Sequence, residues 1–165
     1  MDVTGTDGRD RGQAARLTPV SDRAPSPSGV LRLRHSPVAV SSARRQVRAD
    51  LTAVGVPTTV RDDVEVVVSE LLGNSVRHAR PIAGGLVLLY WHVGSDEVMV
   101  RVTDGGGGRG VEPRCPDLLA VSGRGLQIVE RLARVWGVSE HAGGLRSVWA
   151  SIALAGSPRA LRLVT

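Results

Sequence analysis

The sequence predicts one α/β domain: a two-layer sandwich with a mixed, mostly antiparallel sheet and about three helices on one face. Three observations carry this. A short alternating strand is followed by two stretches with helical apolar spacing; two nearly continuous apolar runs are joined by Gly94-Ser95-Asp96; and a third amphipathic stretch leads into a closing hairpin. With 165 residues, 42% of them hydrophobic, the chain is long enough to bury a single core.

Residues 1–29 are rich in Asp, Gly, Ser, Thr, Arg and Pro without apolar periodicity, and are expected to be a disordered tail. The domain proper is expected over residues 30–155. Val30 to Arg34 alternates apolar and charged residues as an edge strand does, and Ser36-Pro37 supplies an N-cap and a first-turn proline. The first helix is expected over 37–54, ending at Gly55. Pro57-Thr58-Thr59 opens a second, whose Val64, Val67, Val68, Leu71 and Leu72 form an apolar face, with Pro81 beyond its end. Its β-branched content argues weakly against helix, and the spacing outweighs it.

Leu86 to Val93 and Val98 to Val102 read as two antiparallel strands. From Asp104 to Ser122 glycine, proline and charge dominate, so a mobile loop is expected. Gly125 to Arg134 is an amphipathic helix, with Glu130 and Arg134 placed for an i,i+4 pair. Val135 to His141 and Leu145 to Leu154 form the hairpin through Ala142-Gly143-Gly144, and residues 156–165 are a short tail.

Composition narrows the function. The single Cys115 excludes a disulfide framework and a cysteine-based zinc site, and fits a reducing, cytoplasmic setting. No run of about 18 apolar residues points to a membrane span, and the N-terminus lacks a signal-peptide pattern. The net charge of +5 raises nucleic acid as a partner, but aromatics make up 2% and no basic cluster is interleaved with stacking residues, which argues against it. All 21 basic residues are arginine. The lysine-dependent P-loop therefore cannot serve here, and any nucleotide must be held by backbone N–H groups, a metal ion and arginine.

The second helix carries the first chemistry. Glu70, Asn74 and Arg77 fall within about 60° of one another on a helical wheel, with His78 about 40° further round than Asn74, beside the apolar face. Magnesium takes oxygen ligands and keeps several waters, so the Asn74 carboxamide plus substrate phosphates is a sensible set. Glu70, one turn away, can accept a proton from an attacking hydroxyl. The alternative is a solvated helix edge with a Glu70 to Asn74 hydrogen bond. His78 fits either a helix C-terminal cap or a place near the phosphates.

Two glycine turns follow. Asp104 ends an apolar strand, where its carboxylate can accept from the exocyclic amine of adenine, and Gly106 and Gly108 allow close backbone approach or positive φ. Gly123-Arg124-Gly125-Leu126 sits where a loop enters a helix, so successive N–H groups and the helix dipole can receive phosphate oxygens. Arg124, or alternatively Arg109 or Arg114 in the loop, is the candidate to stabilise charge developing on a transferring phosphoryl group. An ordinary hairpin turn and an ordinary loop-to-helix junction are the plain alternatives.

In order and spacing, Glu70-Leu-Leu-Gly-Asn74-Ser-Val-Arg-His78, Asp104-Gly-Gly106-Gly-Gly108 and Gly123-Arg-Gly125-Leu126 resemble the N box and two glycine boxes of the GHKL ATPase superfamily, which includes gyrase, heat-shock chaperones, histidine kinases and mismatch-repair proteins. The resemblance covers about residues 30–155. It extends to Arg146-Ser147-Val148-Trp149 in the last strand, where the family usually has Thr and this chain has Ser147. Within the superfamily, the chain is most similar to the anti-sigma-factor serine/threonine kinases of actinobacteria.

That resemblance implies a histidine kinase-like ATPase fold, ATP and magnesium as cofactors, Glu70 as general base, Asn74 as metal ligand and Asp104 as adenine reader. It implies nucleotide contacts at both glycine turns, including Gly106, Gly108, Gly123, Gly125 and Leu126, with Ser147 nearby. Some members carry an arginine just before the second glycine box, where this chain has Ala120, Val121 and Ser122. The expected partner is a sigma factor or its small protein antagonist, and a homodimer is an open arrangement. An ATP-dependent binding module without catalysis and a histidine kinase core are the alternatives. Under the first two, Arg44, Arg45 and Arg48 of the first helix form an exposed basic edge.

Overall fold

The computed structural model describes residues 27–107 and 123–154. Both expected tails, apart from a few domain-proximal residues, and most of the loop after Asp104, with Gly108, Arg109 and Arg114, lie outside these. The elements run β1 (Ser28–Arg34), α1 (Pro37–Ala53), α2 (Thr58–His78), β2 (Leu86–Val93), β3 (Glu97–Asp104), α3 (Gly123–Leu132), β4 (Val135–Glu140) and β5 (Arg146–Ala153), with a 3-10 turn at Ala142–Gly144 before β5. The five strands form one sheet in the order β1-β2-β3-β5-β4, and every neighbouring pair is antiparallel. The three helices cover one face, with α2 across β3 and β5, α1 beside it over β1 and β2, and α3 against β4.

Local sequence explains the helix limits. Ser36 has extended backbone angles and Pro37 takes the first helical position, although the Ser36 hydroxyl makes no capping bond. At the other end Gly55 N–H donates to Thr52 O and Val56 N–H to Leu51 O, while Gly55 adopts φ +76°. This is a Schellman stop, and the buried Val56 completes its apolar contact. In α2, Val60, Val64, Val67 and Val68 are buried. Each gives up a few tenths of a kcal/mol of helix propensity but gains roughly 1.5–3 kcal/mol by burial, so packing decides the structure.

Strand parity then fixes the sheet faces. Val87, Leu89 and Trp91 of β2, Val98, Val100 and Val102 of β3, and Ala150 and Ile152 of β5 point to the helices. With no phenylalanine in the chain, Trp91 and Trp136 supply the aromatic bulk of the core.

Two long-range contacts differ from the sequence expectation. Arg48 is not part of a free basic edge: its Nη1 donates to Asp62 Oδ1 at 2.8 Å and to Glu65 Oε1 at 2.7 Å on α2. The hydrogen bond to Glu65, and then that to Asp62, raises the guanidinium pKa above its ordinary value. Arg44 and Arg45 remain exposed. Arg134 does not pair with Glu130, because α3 ends at Leu132 and Arg134 instead meets Asp96 Oδ2 at 3.2 Å.

β1 begins at Ser28, two residues before the alternation suggests, and the reason is Gly29. It is the register partner of Trp91, and a methyl group built on it would overlap the Trp91 ring at Cζ2. The benzo ring of the indole fills the space that a β-carbon at residue 29 would need. Gly29→Ala is expected to destabilise the fold by about 1–3 kcal/mol, the usual range for overpacking, as measured by urea unfolding; a change below about 0.5 kcal/mol, the level of ordinary surface substitutions, would mean that the indole is free to move aside.

Candidate functional site

The polar edge of α2 faces the first turn of α3. Glu70 and Asn74 are half-buried, while Arg77 and His78 are exposed. A methyl group on Gly125 would stand 2.5 Å from Glu70 Oε2 and 3.4 Å from both Oδ1 and Nδ2 of Asn74. The backbone of α3 thus enters its helix directly over the carboxylate and carboxamide, so close that a side chain here would push the end of Glu70 aside. Leu126, the next residue, is buried and anchors this turn to the core.

The Asn74 carboxamide is weakly engaged. Its Oδ1 accepts from Arg77 Nη2 at 3.5 Å, the long limit of a hydrogen bond, and its buried Nδ2 has no partner among the described residues. Buried amides are normally satisfied, so this group has capacity left for a ligand. The Oδ1 of this carboxamide is the atom that would hold a magnesium ion, as one neutral oxygen in a shell otherwise made of phosphate and water, while the unpartnered Nδ2 can only donate a hydrogen bond. Among the described residues no group of three His, Cys, Asp or Glu side chains could hold a metal ion by itself.

The glycine turn that follows Asp104 lies just past the C-terminal end of α2. Gly105 N–H donates to Arg80 O at 2.8 Å and Arg80 N–H to Gly106 O at 2.8 Å, so the chain after β3 is stitched to the chain after α2. A methyl group on Gly105 would meet Pro81 O at 2.5 Å, and one on Gly106, which has φ +70°, would meet Gly144 O at 2.7 Å. Asp104, 2% exposed, accepts from Gly106 N–H through Oδ1 at 2.9 Å. That Asx turn fixes the carboxylate at the mouth of the turn.

Ser147 does not join this group. It is the register partner of Thr103, so its side chain lies on the sheet face opposite Asp104. There its hydroxyl is 2.7 Å from Thr103 Oγ1 and 2.8 Å from His141 Nε2. The residue that does share the face of Asp104 is Arg146, whose Nε is 4.0 Å from Asp104 Oδ1. Reading the Val102 to Val148 pairing off the two strands would have located it, because the parity of β5 follows from that single match.

His78 makes no hydrogen bond to a described residue. The histidine that meets the end of α2 is His35, with Nε2 3.0 Å from Ser75 O. It is held half-buried at the end of β1. Gly123 is the first residue of α3. The side chain of Arg124 lies outside the described structure, as does Gly108.

The site therefore combines a carboxylate and a carboxamide under a glycine turn at one stretch of α2, and a second glycine turn with a buried carboxylate beyond its end. A family described as a histidine kinase-like ATPase domain matches residues 33–152. The fold is similar to that in the crystal structure of the RsbU and RsbW domains of Rv1364c from Mycobacterium tuberculosis, with a TM-score of 0.59 and 21% sequence identity. That likeness covers 87% of this chain and 36% of the other, so the chain spans about a third of its length. No curated protein matches the sequence. With a family match over well more than half of the residues, the chain belongs to the histidine kinase-like ATPase domain family, and that membership implies ATP binding.

Proposed function

We propose that the protein is an anti-sigma-factor-type serine/threonine protein kinase, which uses ATP to phosphorylate a serine on a small antagonist protein and which also binds a sigma factor. The observation that carries the reading is Gly125 seated on Glu70 and Asn74, a carboxylate and a carboxamide beside a glycine turn that opens a helix. The similarity to a solved RsbW domain supports the choice of protein partner. A cytoplasmic setting fits the single cysteine, and among the described residues no helix is long and apolar enough to cross a membrane.

In this reading Asp104 accepts a hydrogen bond from the exocyclic amine of adenine, while Gly106 and Gly108 let the backbone lie against the base. The N–H groups of Gly123 and Gly125 and the N-terminal dipole of α3 receive phosphate oxygens. Asn74 holds magnesium, which when bound neutralises phosphate charge. Glu70 takes the proton of the substrate serine hydroxyl; its oxygen bonds to the γ-phosphorus as the bond to the β-phosphate oxygen breaks, and ADP leaves. Arg124 is assigned to the charge on the transferring group, and His78 to the rim of the phosphate site.

A second reading, an ATP-dependent binding module without transfer, rests on Ala120-Val121-Ser122, where no arginine is available to assist the γ-phosphate. A histidine kinase core is disfavoured by His35, whose ring is occupied at the end of α2. The two main readings separate in one assay. With labelled ATP and the cognate antagonist, recovered by pull-down from native cytosol with and without ATP, wild type is expected to transfer label. Glu70→Gln should lower transfer by at least about 100-fold, the low end for loss of a general base, with ATP affinity unchanged. Nucleotide-dependent partner binding without any transfer by wild type would select the second reading.

Gly125→Ala tests the geometry itself. The added methyl displaces only the end of the Glu70 side chain, so the fold is expected to survive with a melting temperature close to wild type. Transfer is expected to fall by roughly 100-fold, as for a reacting group misplaced by about 1 Å. Transfer at the wild-type rate would show that Glu70 need not occupy its observed position.

A further inference from the structure

We infer that Arg146 is a specificity-determining residue that donates a hydrogen bond to ring nitrogen N1 of adenine, beside the amine read by Asp104. The inference rests on the ATP reading given above.

Position comes first. Asp104 and Arg146 are direct partners across the β3–β5 ladder, so their side chains rise from the same sheet face at the end that carries the glycine turn. The Cβ of Arg146 lies beside the glycine turn, 4.0 Å from where a methyl group on Gly106 would stand. Gly144 O closes the same turn two residues before Arg146.

The pair is a long ion pair without a hydrogen bond. Arg146 Nε is 4.0 Å from Asp104 Oδ1, beyond hydrogen-bond length, and Oδ1 already accepts from Gly106 N–H. Arg146 Nε is buried and has no partner among the described residues. Glu140, its partner on β4, is exposed and makes no described ion pair with it. A buried guanidinium N–H without an acceptor is costly, which makes a ligand acceptor at this place favourable.

Chemistry then selects the ligand atom. An ionised carboxylate only accepts and a guanidinium only donates. The Watson–Crick edge of adenine presents the complement, an N6–H donor next to the N1 acceptor. Guanine in the same seating presents the O6 acceptor to the carboxylate and the N1–H donor to the guanidinium, so both contacts become repulsive. Asp104 and Arg146 together read two adjacent atoms, where Asp104 alone reads one.

The test compares ATP with 1-deaza-ATP, in which N1 is replaced by C–H, by calorimetric titration with magnesium into the full chain. Wild type is expected to bind ATP about tenfold more tightly than the analogue, the worth of one hydrogen bond to a charged group. Arg146→Leu should bind the two within twofold of each other, and Arg146→Lys, which keeps a donor, should restore part of the preference. If the leucine variant does not fold, Arg146→Met, which keeps the stem, takes its place. Equal binding of ATP and 1-deaza-ATP by wild type overturns the inference without any variant. So does a tenfold preference that persists in Arg146→Leu, since a structural role would weaken both ligands alike. Failure of wild type to bind either nucleotide would overturn the ATP reading itself.

Discussion

The contact on which this structure turns is the approach of the α3 backbone to the polar edge of α2 at Gly125. It joins two requirements that pull apart. Toward the sheet, α2 must present Val64, Val67, Val68, Leu71 and Leu72 to a tight core. Toward α3, the same turns must offer Glu70 beside Asn74, whose buried Nδ2 has no partner among the described residues. A helix repeats every 3.6 residues, so both rows fit on one element only if its neighbour arrives at the border between them. The glycine permits that arrival, and the buried Leu126 and Val129 hold α3 there by burial. Core packing and site geometry are therefore set by the same few turns of helix.

The second half of the site follows a different rule, being held by main chain. Gly105 and Gly106 exchange hydrogen bonds with Arg80 and stand against the carbonyls of Pro81 and Gly144. Three chain segments thereby converge with hardly any side-chain bulk between them. Such a junction has little rotamer entropy to lose on ordering, and it leaves Asp104 and Arg146 as the side chains standing over it. In a chain without lysine the division of labour is clear: backbone supplies the surface, and a few charged or amide groups supply direction.

Much of this was legible in the sequence because it is local. Alternation gave the first strand, nearly continuous apolar runs gave the next two, helical spacing gave the buried valines, Gly55 marked a helix stop, and the glycine turns stood out by composition. What could not be read locally depended on pairing at a distance. Arg48 reaches Asp62 and Glu65, 14 and 17 residues on, and Arg134 reaches Asp96, 38 residues back. An i,i+4 rule sees neither. His35 likewise meets Ser75 across 40 residues and takes the place at the helix end that His78 was a candidate to fill.

Ser147 and Arg146 show how sharp the limit is. One residue of register decides which of them faces the helices, because a strand sends successive side chains to opposite sides. The match of Val102 with Val148 places two apolar residues on the core side, and a slip by one would bury Ser147 and Trp149 there while turning Val148 and Ala150 outward. The core therefore enforces the register, and the register assigns Arg146 to the face of Asp104. On the far face the same rule gathers Thr103, Ser147 and His141 into a hydrogen-bonded chain. Their bonds satisfy one another, whereas Arg146 Nε beside Asp104 and Asn74 Nδ2 are buried without a partner among the described residues. The two faces of the last strand thus divide between a closed polar network and an unsatisfied one, and only an unsatisfied network has something to gain from a ligand.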